Sequence, residues 1–263
     1  MRPTSRAQPT RPRSRRKVRM LMSVIEGARS APAYPELAGK RVLITGLSSS
    51  CGVDIARAFA DHKARLILQF DEMSERTQAI AEIVAPTALD IKAFGPVACE
   101  ADAVAQLARA VMQAFGGLDA VINLVPLAPA ELGTAASVDE IERRIARRLL
   151  LPCLIAKIAA NRMALSYIEG LILNVAILTP PMKGPAQAFA SVAKAALSAM
   201  TRIQAEEWAG KAIRFNAIAP QTAHPSAEPS LAGEPEVAAL ALYLASGRGK
   251  ALSGHVFEAE PAR

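Results

Sequence analysis

The chain has 263 residues and a mass of 27.8 kDa, which suits one large domain or two small ones with a sizeable core. A composition of 51% hydrophobic and 21% charged residues excludes wholesale disorder, and no apolar run is long enough for a membrane-spanning helix. The three cysteines lie far apart and lack C-x-x-C spacing, so neither a disulfide framework nor a metal site is predicted.

The net charge of +7 belongs to the first 20 residues, which contain eight arginines and lysines and no acidic residue, so the rest of the chain sums to −1. Prolines and almost no apolar side chains stand among these arginines. We therefore predict a disordered basic tail over residues 1–36 and a single domain over residues 37–263. The tail is either a solvated arm, an extension before a true start at Met20 or Met22, or a means of attracting an anionic partner such as nucleic acid or a membrane surface.

One motif in the tail bears on localisation. The letters S-R-R-K-V at residues 14–18 resemble a twin-arginine export signal. The apolar run that follows ends at Glu26 and is shorter than the hydrophobic core of a signal peptide. Together with the cysteine usage, this leads us to expect a cytoplasmic protein.

Taken in chain order, short β-branched and aliphatic runs alternate with amphipathic stretches. The runs predict buried strands at residues 41–45, 65–69, 118–124, 170–177, 213–219 and 255–258. The amphipathic stretches predict helices at residues 53–62, 74–84, 101–115, 137–163, 188–209 and 235–245. A capping box at Ser137 and Glu140 opens the fourth helix. Such alternation gives an α/β fold with a doubly wound parallel sheet, the Rossmann-like architecture.

The turn between the first strand and the first helix reads T-G-L-S-S-S-C-G over residues 45–52. In a doubly wound sheet this turn places a nucleotide pyrophosphate on the N-terminus of the helix that follows. Gly46 permits a sharp turn without a Cβ, and Gly52 permits close packing of the helix on the strand. Ser48 and Ser49 offer hydroxyl and backbone donors between the two glycines.

The same segment carries a resemblance to a known family. Residues 37–53 resemble the opening of a short-chain dehydrogenase/reductase, whose turn has the signature T-G-x-x-x-G-x-G. Five further blocks follow in the family's order, namely F-G-G-L-D-A-V-I-N at 115–123, L-I-L-N-V at 171–175, S-V-A-K-A-A-L at 191–197, R-F-N-A-I-A-P at 214–220 and a last helix at 236–246. The chain is therefore identified as a divergent member over residues 37–258.

The resemblance implies hydride transfer between a nicotinamide and a carbonyl or alcohol. In the family a tyrosine exchanges the proton, a lysine lowers the pKa of that tyrosine, a serine orients the substrate oxygen and an asparagine holds a relay water. Lys194 stands at the lysine position and is the one catalytic residue that this comparison retains. The tyrosine position is Ala190, the serine position is Ile177 and the asparagine position is Arg148.

The positions that would hold the cofactor are partly kept. By the same resemblance, the candidate cofactor-binding residues are Gly46, Ser48, Ser49, Gly52, Asp71, Asn123 and Lys194. Ser50 replaces the middle glycine of the turn, and Pro126 replaces a glycine beside the nicotinamide ribose. Asp71 follows the second strand, where a carboxylate suits the adenosine ribose and repels a 2′-phosphate. With no arginine or lysine in residues 47–51 or directly after Gln69, we expect NAD rather than NADP.

Three functions stay open at this point. The missing catalytic side chains favour a catalytically impaired family member that acts as a nucleotide-sensing or scaffolding protein. The alternatives are an oxidoreductase whose proton comes from Tyr167, water or a small-molecule substrate, and a protein that docks on nucleic acid or a membrane through its tail. The helices at 137–163 and 188–209 resemble the pair at the family's dimer interface, so we expect a homodimer or homotetramer.

Overall fold

The computed structural model describes residues 33–49, 51–127, 137–178, 185–219 and 234–258. Within these ranges, seven strands form one fully parallel sheet in the order β3-β2-β1-β4-β5-β6-β7. The strand order reverses between β1 and β4, and ligands of doubly wound sheets bind at the carboxyl ends of strands at such a point. The predicted doubly wound, Rossmann-like fold is confirmed.

The bounds of the elements follow the predicted alternation. The strands are β1 (Arg41–Leu47), β2 (Arg65–Phe70), β3 (Asp90–Phe94), β4 (Ala120–Leu127), β5 (Gly170–Leu178), β6 (Ile213–Ile218) and β7 (Val256–Phe257). The helices are α1 (Val53–Asp61), α2 (Glu75–Val84), α3 (Ala101–Phe115), α4 (Val138–Ile145), α5 (Leu151–Leu165), α6 (Pro185–Trp208) and α7 (Glu234–Ala245).

Helices cover both faces of the sheet. Helices α1, α2 and α7 pack on one face in a cluster that includes Ile55, Phe59 and Val237. Helices α3, α5 and α6 pack on the other face in a cluster that includes Val111 and Ile155. Since each helix returns antiparallel to the strand before it, helix N-termini lie at the carboxyl edge of the sheet. That edge therefore holds the candidate site.

The predicted helix over residues 137–163 is interrupted. Between α4 and α5 lies a π-helical turn, Ala146–Leu150, in which the Leu151 N–H donates to the Ala146 carbonyl. Pro152 explains the interruption, because it has no N–H for the Arg148 carbonyl and its ring crowds that group in a regular helix. The wider turn carries Arg147 and Arg148.

Three further features bear on the sequence predictions, namely the cap of α4, the edge strand β3 and the start of the compact body. The Ser137 hydroxyl accepts the Glu140 N–H at 3.3 Å, which confirms that α4 begins with a side-chain cap. The strand β3 has no counterpart among the strands predicted above, because D-I-K-A-F is short and half-exposed at the sheet edge. The compact body begins at Tyr34, before the predicted boundary at residue 37, and the Glu36 carboxylate accepts the Gly247 N–H at 3.0 Å.

The predicted basic tail lies almost entirely outside the described residues. Within the part of the chain that the structure describes, no helix is both long and apolar enough to cross a membrane. The same residues contain no group of three or more His, Cys, Asp or Glu side chains that could hold a metal ion.

Candidate functional site

The turn after β1 is held by its neighbours on both sides. Gly46 has φ +73°, and a Cβ there would collide with the backbone carbonyl of Leu124 on β4, so this position requires glycine. The Gly46 N–H donates to Gln69 Oε1 at 3.0 Å. Ser48 and Cys51 exchange backbone hydrogen bonds of 3.2 and 3.3 Å, which close the turn. Ser49 is exposed, and Ser50 lies outside the described residues.

Leu124 fills the space beside the second glycine. Gly52 has φ +92°, and a Cβ on it would overlap the Leu124 side chain, which is 3% exposed. Leu124 follows Asn123 where the family sequence N-N-A-G has its second asparagine. Here the side chain packs with Leu47 and Cys51 in the core. The turn therefore rests on apolar side chains.

Asn123 belongs to a buried network between strands. Its Oδ1 accepts the Thr45 hydroxyl at 3.0 Å, and its Nδ2 donates to Asn174 Oδ1 at 2.9 Å. The same Nδ2 lies 3.4 Å from the Pro152 carbonyl. Thr45, Asn123 and Asn174 are all almost fully buried. The side chain predicted to bind a cofactor thus ties β1, β4, β5 and α5 together.

A carboxylate occupies the N-terminus of α1. Glu234 Oε1, from the first residue of α7, accepts the Asp54 N–H at 2.9 Å. Burial raises the pKa of the Glu234 carboxyl and the Asp54 charge adds to it, although the Asp54, Ile55 and Gly52 amides stabilise the charged form. Sequence reasoning missed this residue, because an acidic first residue of a helix does not reveal which other helix it faces.

Asp71 is engaged by two arginines. Arg148 Nη1 lies 3.2 Å from Asp71 Oδ2, and both side chains are largely buried. Arg147 donates to the Asp71 carbonyl at 3.1 Å and lies 4.0 Å from the carboxylate. Residues 47–51 and the positions directly after Gln69 hold no arginine or lysine, but the π-helical turn brings both guanidinium groups to Asp71 from 76 and 77 residues away. The sequence spacing alone therefore does not decide between NAD and NADP.

Lys194 also has an anionic partner. Its Nζ lies 2.9 Å from Glu258 Oε1, at the carboxyl end of β7, and its side chain is 17% exposed. The sequence predicted that Lys194 lies on a helix but gave no sign of Glu258. The ammonium group is therefore neutralised by a carboxylate of the same chain.

The position that the sequence resemblance assigns to the proton donor is part of the core. Ala190 is fully buried and packs with Val125, Ala176 and Ala193. Ile177, at the serine position, is a half-buried apolar residue on β5 opposite Pro126 of β4. Neither position holds a group that can transfer a proton.

The three tyrosines of the chain lie elsewhere. Tyr167 is 98% exposed and precedes β5, at the other end of that strand from Ile177. Tyr34 precedes β1 and stands 5.4 Å from the Arg248 guanidinium. Tyr243 lies in the last turn of α7. Tyr167 therefore cannot serve as the substitute proton donor that the sequence left open.

Known proteins resemble this chain over most of its length. The family profile described as enoyl-(acyl carrier protein) reductase matches residues 46–239, from the glycine turn into α7. The chain belongs to the short-chain dehydrogenase/reductase family. Members of this family bind NAD(P), and the predicted membership is confirmed.

Relatives extend over most of the domain. An uncharacterized oxidoreductase of Thermotoga maritima is 30% identical over 70% of this chain and 72% of its own length. A galactitol 2-dehydrogenase (L-tagatose-forming) of Cereibacter sphaeroides is 30% identical over 84% of this chain and 93% of its own length. A short-chain dehydrogenase from Burkholderia cenocepacia, solved in complex with NADP, matches with a TM-score of 0.67 at 20% identity, covering 85% of this chain and 97% of that one. The last likeness shows the fold alone.

The side chains at the dinucleotide position do not fit a bound dinucleotide in this conformation. The α1 amides that would face a pyrophosphate face Glu234, and the carboxylate that would face a ribose faces Arg148. The cavity lined by Gly46, Asp71 and Arg148 has a volume of only about 10 Å³. At this edge of the sheet the polar groups of Glu234, Asp71 and Lys194 are therefore bonded to other groups of the same chain. The residues beneath them, such as Leu124, are apolar.

Proposed function

We propose that this member of the short-chain dehydrogenase/reductase family does not catalyse carbonyl or alcohol redox chemistry and works as a nucleotide-sensing or scaffolding protein. The observation that carries the proposal is Ala190, a fully buried methyl group at the position of the family's proton donor. A general acid or base typically contributes about 10²–10⁴ in rate. The loss of that group, together with the hydroxyl replaced by Ile177, removes the chemical step and leaves the fold.

The test is NADH and NADPH oxidation by the full chain against simple ketones, quinones and acyl thioesters. We expect no turnover above the rate without protein, in the unmodified protein and in Lys194→Ala alike. Robust turnover that disappears in Lys194→Ala would show that the site is catalytic and that the proposal is wrong.

An oxidoreductase remains the second candidate, because the relatives in Thermotoga maritima and Cereibacter sphaeroides are named as an oxidoreductase and a dehydrogenase. With Tyr167 at the opposite edge of the sheet, the proton would have to come from water or from the substrate. This candidate predicts turnover with a solvent isotope effect and little dependence on any tyrosine. Turnover by the unmodified protein would separate the two functions, and turnover that survives substitution of each tyrosine by phenylalanine would support water or the substrate as the proton source.

The choice between NAD and NADP is open to a paired titration. Asp71 repels a 2′-phosphate, whereas Arg147 and Arg148 attract one. We still propose NAD, because Arg148 lies 3.2 Å from Asp71 and is neutralised by it. Tighter binding of NADPH than NADH by the full chain would overturn that choice.

A role for the basic tail is a third proposal. Eight positive charges in 20 residues suit an anionic surface such as nucleic acid or membrane. Retention on DNA or on anionic vesicles should then fall steeply with added salt and disappear when residues 1–19 are deleted. Retention that survives the deletion would exclude the tail as the docking element.

A further inference from the structure

The Glu234 carboxylate lies where a phosphate-bearing ligand would be bound. The N-terminus of a helix concentrates free N–H donors and partial positive charge, and it attracts anions. Here the Asp54 N–H donates to Glu234 Oε1 at 2.9 Å, and the Gly52 and Ile55 amides act on the same carboxylate. These are the donors that the turn after β1 would offer to a pyrophosphate. They are engaged by an anion of the same chain.

Helix packing holds that carboxylate in place. Glu234 is the first residue of α7, and α7 packs along α1 in one apolar cluster. The cluster joins Ile55, Ala56 and Phe59 of α1 to Val237, Ala238 and Ala241 of α7. A tethered group competes with a free one at an effective concentration on the order of millimolar. An external anion must therefore displace a local competitor.

The candidate cofactor groove runs along the carboxyl edge of the sheet from the turn after β1 to Asp71 after β2. At the Asp71 end its polar group is paired with charges of the opposite sign to those at the turn. Asp71 offers a carboxylate to a sugar hydroxyl, and Arg148 occupies it at 3.2 Å with 14% of its own side chain exposed. The N–H donors at the start of α1 bind an acidic side chain, and the Asp71 carboxylate after β2 binds basic side chains. Two independent contacts, on opposite faces of the sheet, thus satisfy the polar groups of one groove.

We propose that Glu234 acts as a built-in competitor that closes the phosphate position of the groove. A phosphate-bearing ligand enters only when the first turn of α7 moves away from α1. This inference rests on the proposed function and deepens it, since it specifies how the same groove is regulated in a protein without turnover.

The test uses the full chain and inorganic pyrophosphate, which needs only the phosphate position, with NADH as a second probe. Isothermal titration compares the unmodified protein with Glu234→Ala and Glu234→Gln. The matched control is Glu236→Gln, which removes one charge from an exposed residue of the same helix turn. We expect pyrophosphate affinity to rise on the order of tenfold in Glu234→Ala and by less in Glu234→Gln, whose amide oxygen still accepts the Asp54 N–H.

Equal pyrophosphate affinities in the unmodified protein, Glu234→Ala and Glu236→Gln would overturn the closing contact. If Glu234→Ala melts early, the isosteric Glu234→Gln carries the comparison, because it keeps the shape and removes the charge. A gain shared by Glu236→Gln would mean that net charge, not the contact, controls affinity, and would also overturn it. Turnover of NADH by the unmodified protein would overturn the proposed function separately, whatever the affinities.

Discussion

At the scale of single residues, apolar side chains fill the positions that the family resemblance assigns to polar and reactive groups. Leu124 packs against Gly52 at the position predicted for an amide, and Ala190 packs with Ala176 and Ala193 at the position predicted for a phenol. Each replacement buries apolar surface, at roughly 25 cal/mol for every Å² removed from water. The gain in packing comes with the loss of groups that could bind or transfer a proton.

Ala190→Tyr should destabilise the protein and should not restore activity. The ring would enter a fully packed cluster beside Val125, and overpacking of this kind costs about 1–3 kcal/mol or more. Urea unfolding measures the loss, with Ala199→Tyr on the exposed face of α6 as the control. A variant as stable as the control would show that the core has room for the family's tyrosine.

Cys51 should be inert to alkylation in the folded protein. Burial raises the pKa of the Cys51 thiol to about 12, with the Glu234 and Asp71 charges adding to the effect, so almost no thiolate exists below pH 9. We expect mass spectrometry after iodoacetamide treatment to find Cys99 and Cys153 modified first, since both are partly exposed. In denaturant all three should react alike. Early modification of Cys51 would mean that the turn opens readily.

At the scale of elements, polar contacts fix the two central strands to each other. Arg41 on β1 donates three hydrogen bonds to Asp119, just before β4, at 2.7, 2.9 and 3.0 Å. At the other end of the same strands, the Thr45 hydroxyl reaches Asn123. Because parallel strands share no short connection, such contacts help to set their register. The register of β1 in turn sets the position of the turn that follows it and of the start of α1.

Asp119→Asn should lower stability in a pH-dependent way. Burial acts to raise the pKa of Asp119, but the Arg41 hydrogen bonds outweigh it and the pKa is lowered. The carboxylate therefore stabilises the fold above its unfolded pKa, and this contribution is lost as the pH falls through the folded value. We expect a loss of about 1–3 kcal/mol at neutral pH.

That difference should shrink toward zero in acid, because the carboxyl then protonates in the unmodified protein too. Urea unfolding at several pH values measures it, and the exposed Asp61→Asn serves as the control. A difference that does not change with pH would show that the loss comes from packing and not from the ion pair.

At the scale of the whole molecule, α6 leaves an apolar stripe uncovered. Val192 and Ile203 on this helix are 60% and 64% exposed, and small alanines lie between them on the same face. Exposed apolar side chains in a row favour association with a second helix face. We therefore propose that the protein forms a homodimer or homotetramer through this helix.

Light scattering should find more than one copy of the chain at micromolar concentration. Val192→Arg should shift the protein toward monomer, because it places a charge on the apolar stripe of the proposed contact. The matched control is Ile83→Arg on α2, whose side chain is 55% exposed on another part of the surface. A monomer in all three proteins would exclude the proposed assembly.

Whether a feature can be predicted from the sequence depends on whether it arises from residues that are close together along the chain. The apolar run of β1 and the glycines at 46 and 52 are local signals, and both lie where they were predicted. The interruption at Pro152 is local too, since a proline inside a helical pattern predicts a break, although the predicted helix over residues 137–163 runs through it. The ion pair of Lys194 with Glu258 joins residues 64 positions apart, and no sequence pattern predicts it.

The sequence by itself determined the alternation of strands and helices, the doubly wound order that follows from it, and the family. Only the tertiary structure decided that Glu234 faces the start of α1 and that Arg148 faces Asp71. The physical reason is that periodicity and turn chemistry are set by neighbours along the chain. The partner of a charged side chain, by contrast, is set by which elements pack together, and that is fixed only when the whole sheet has formed.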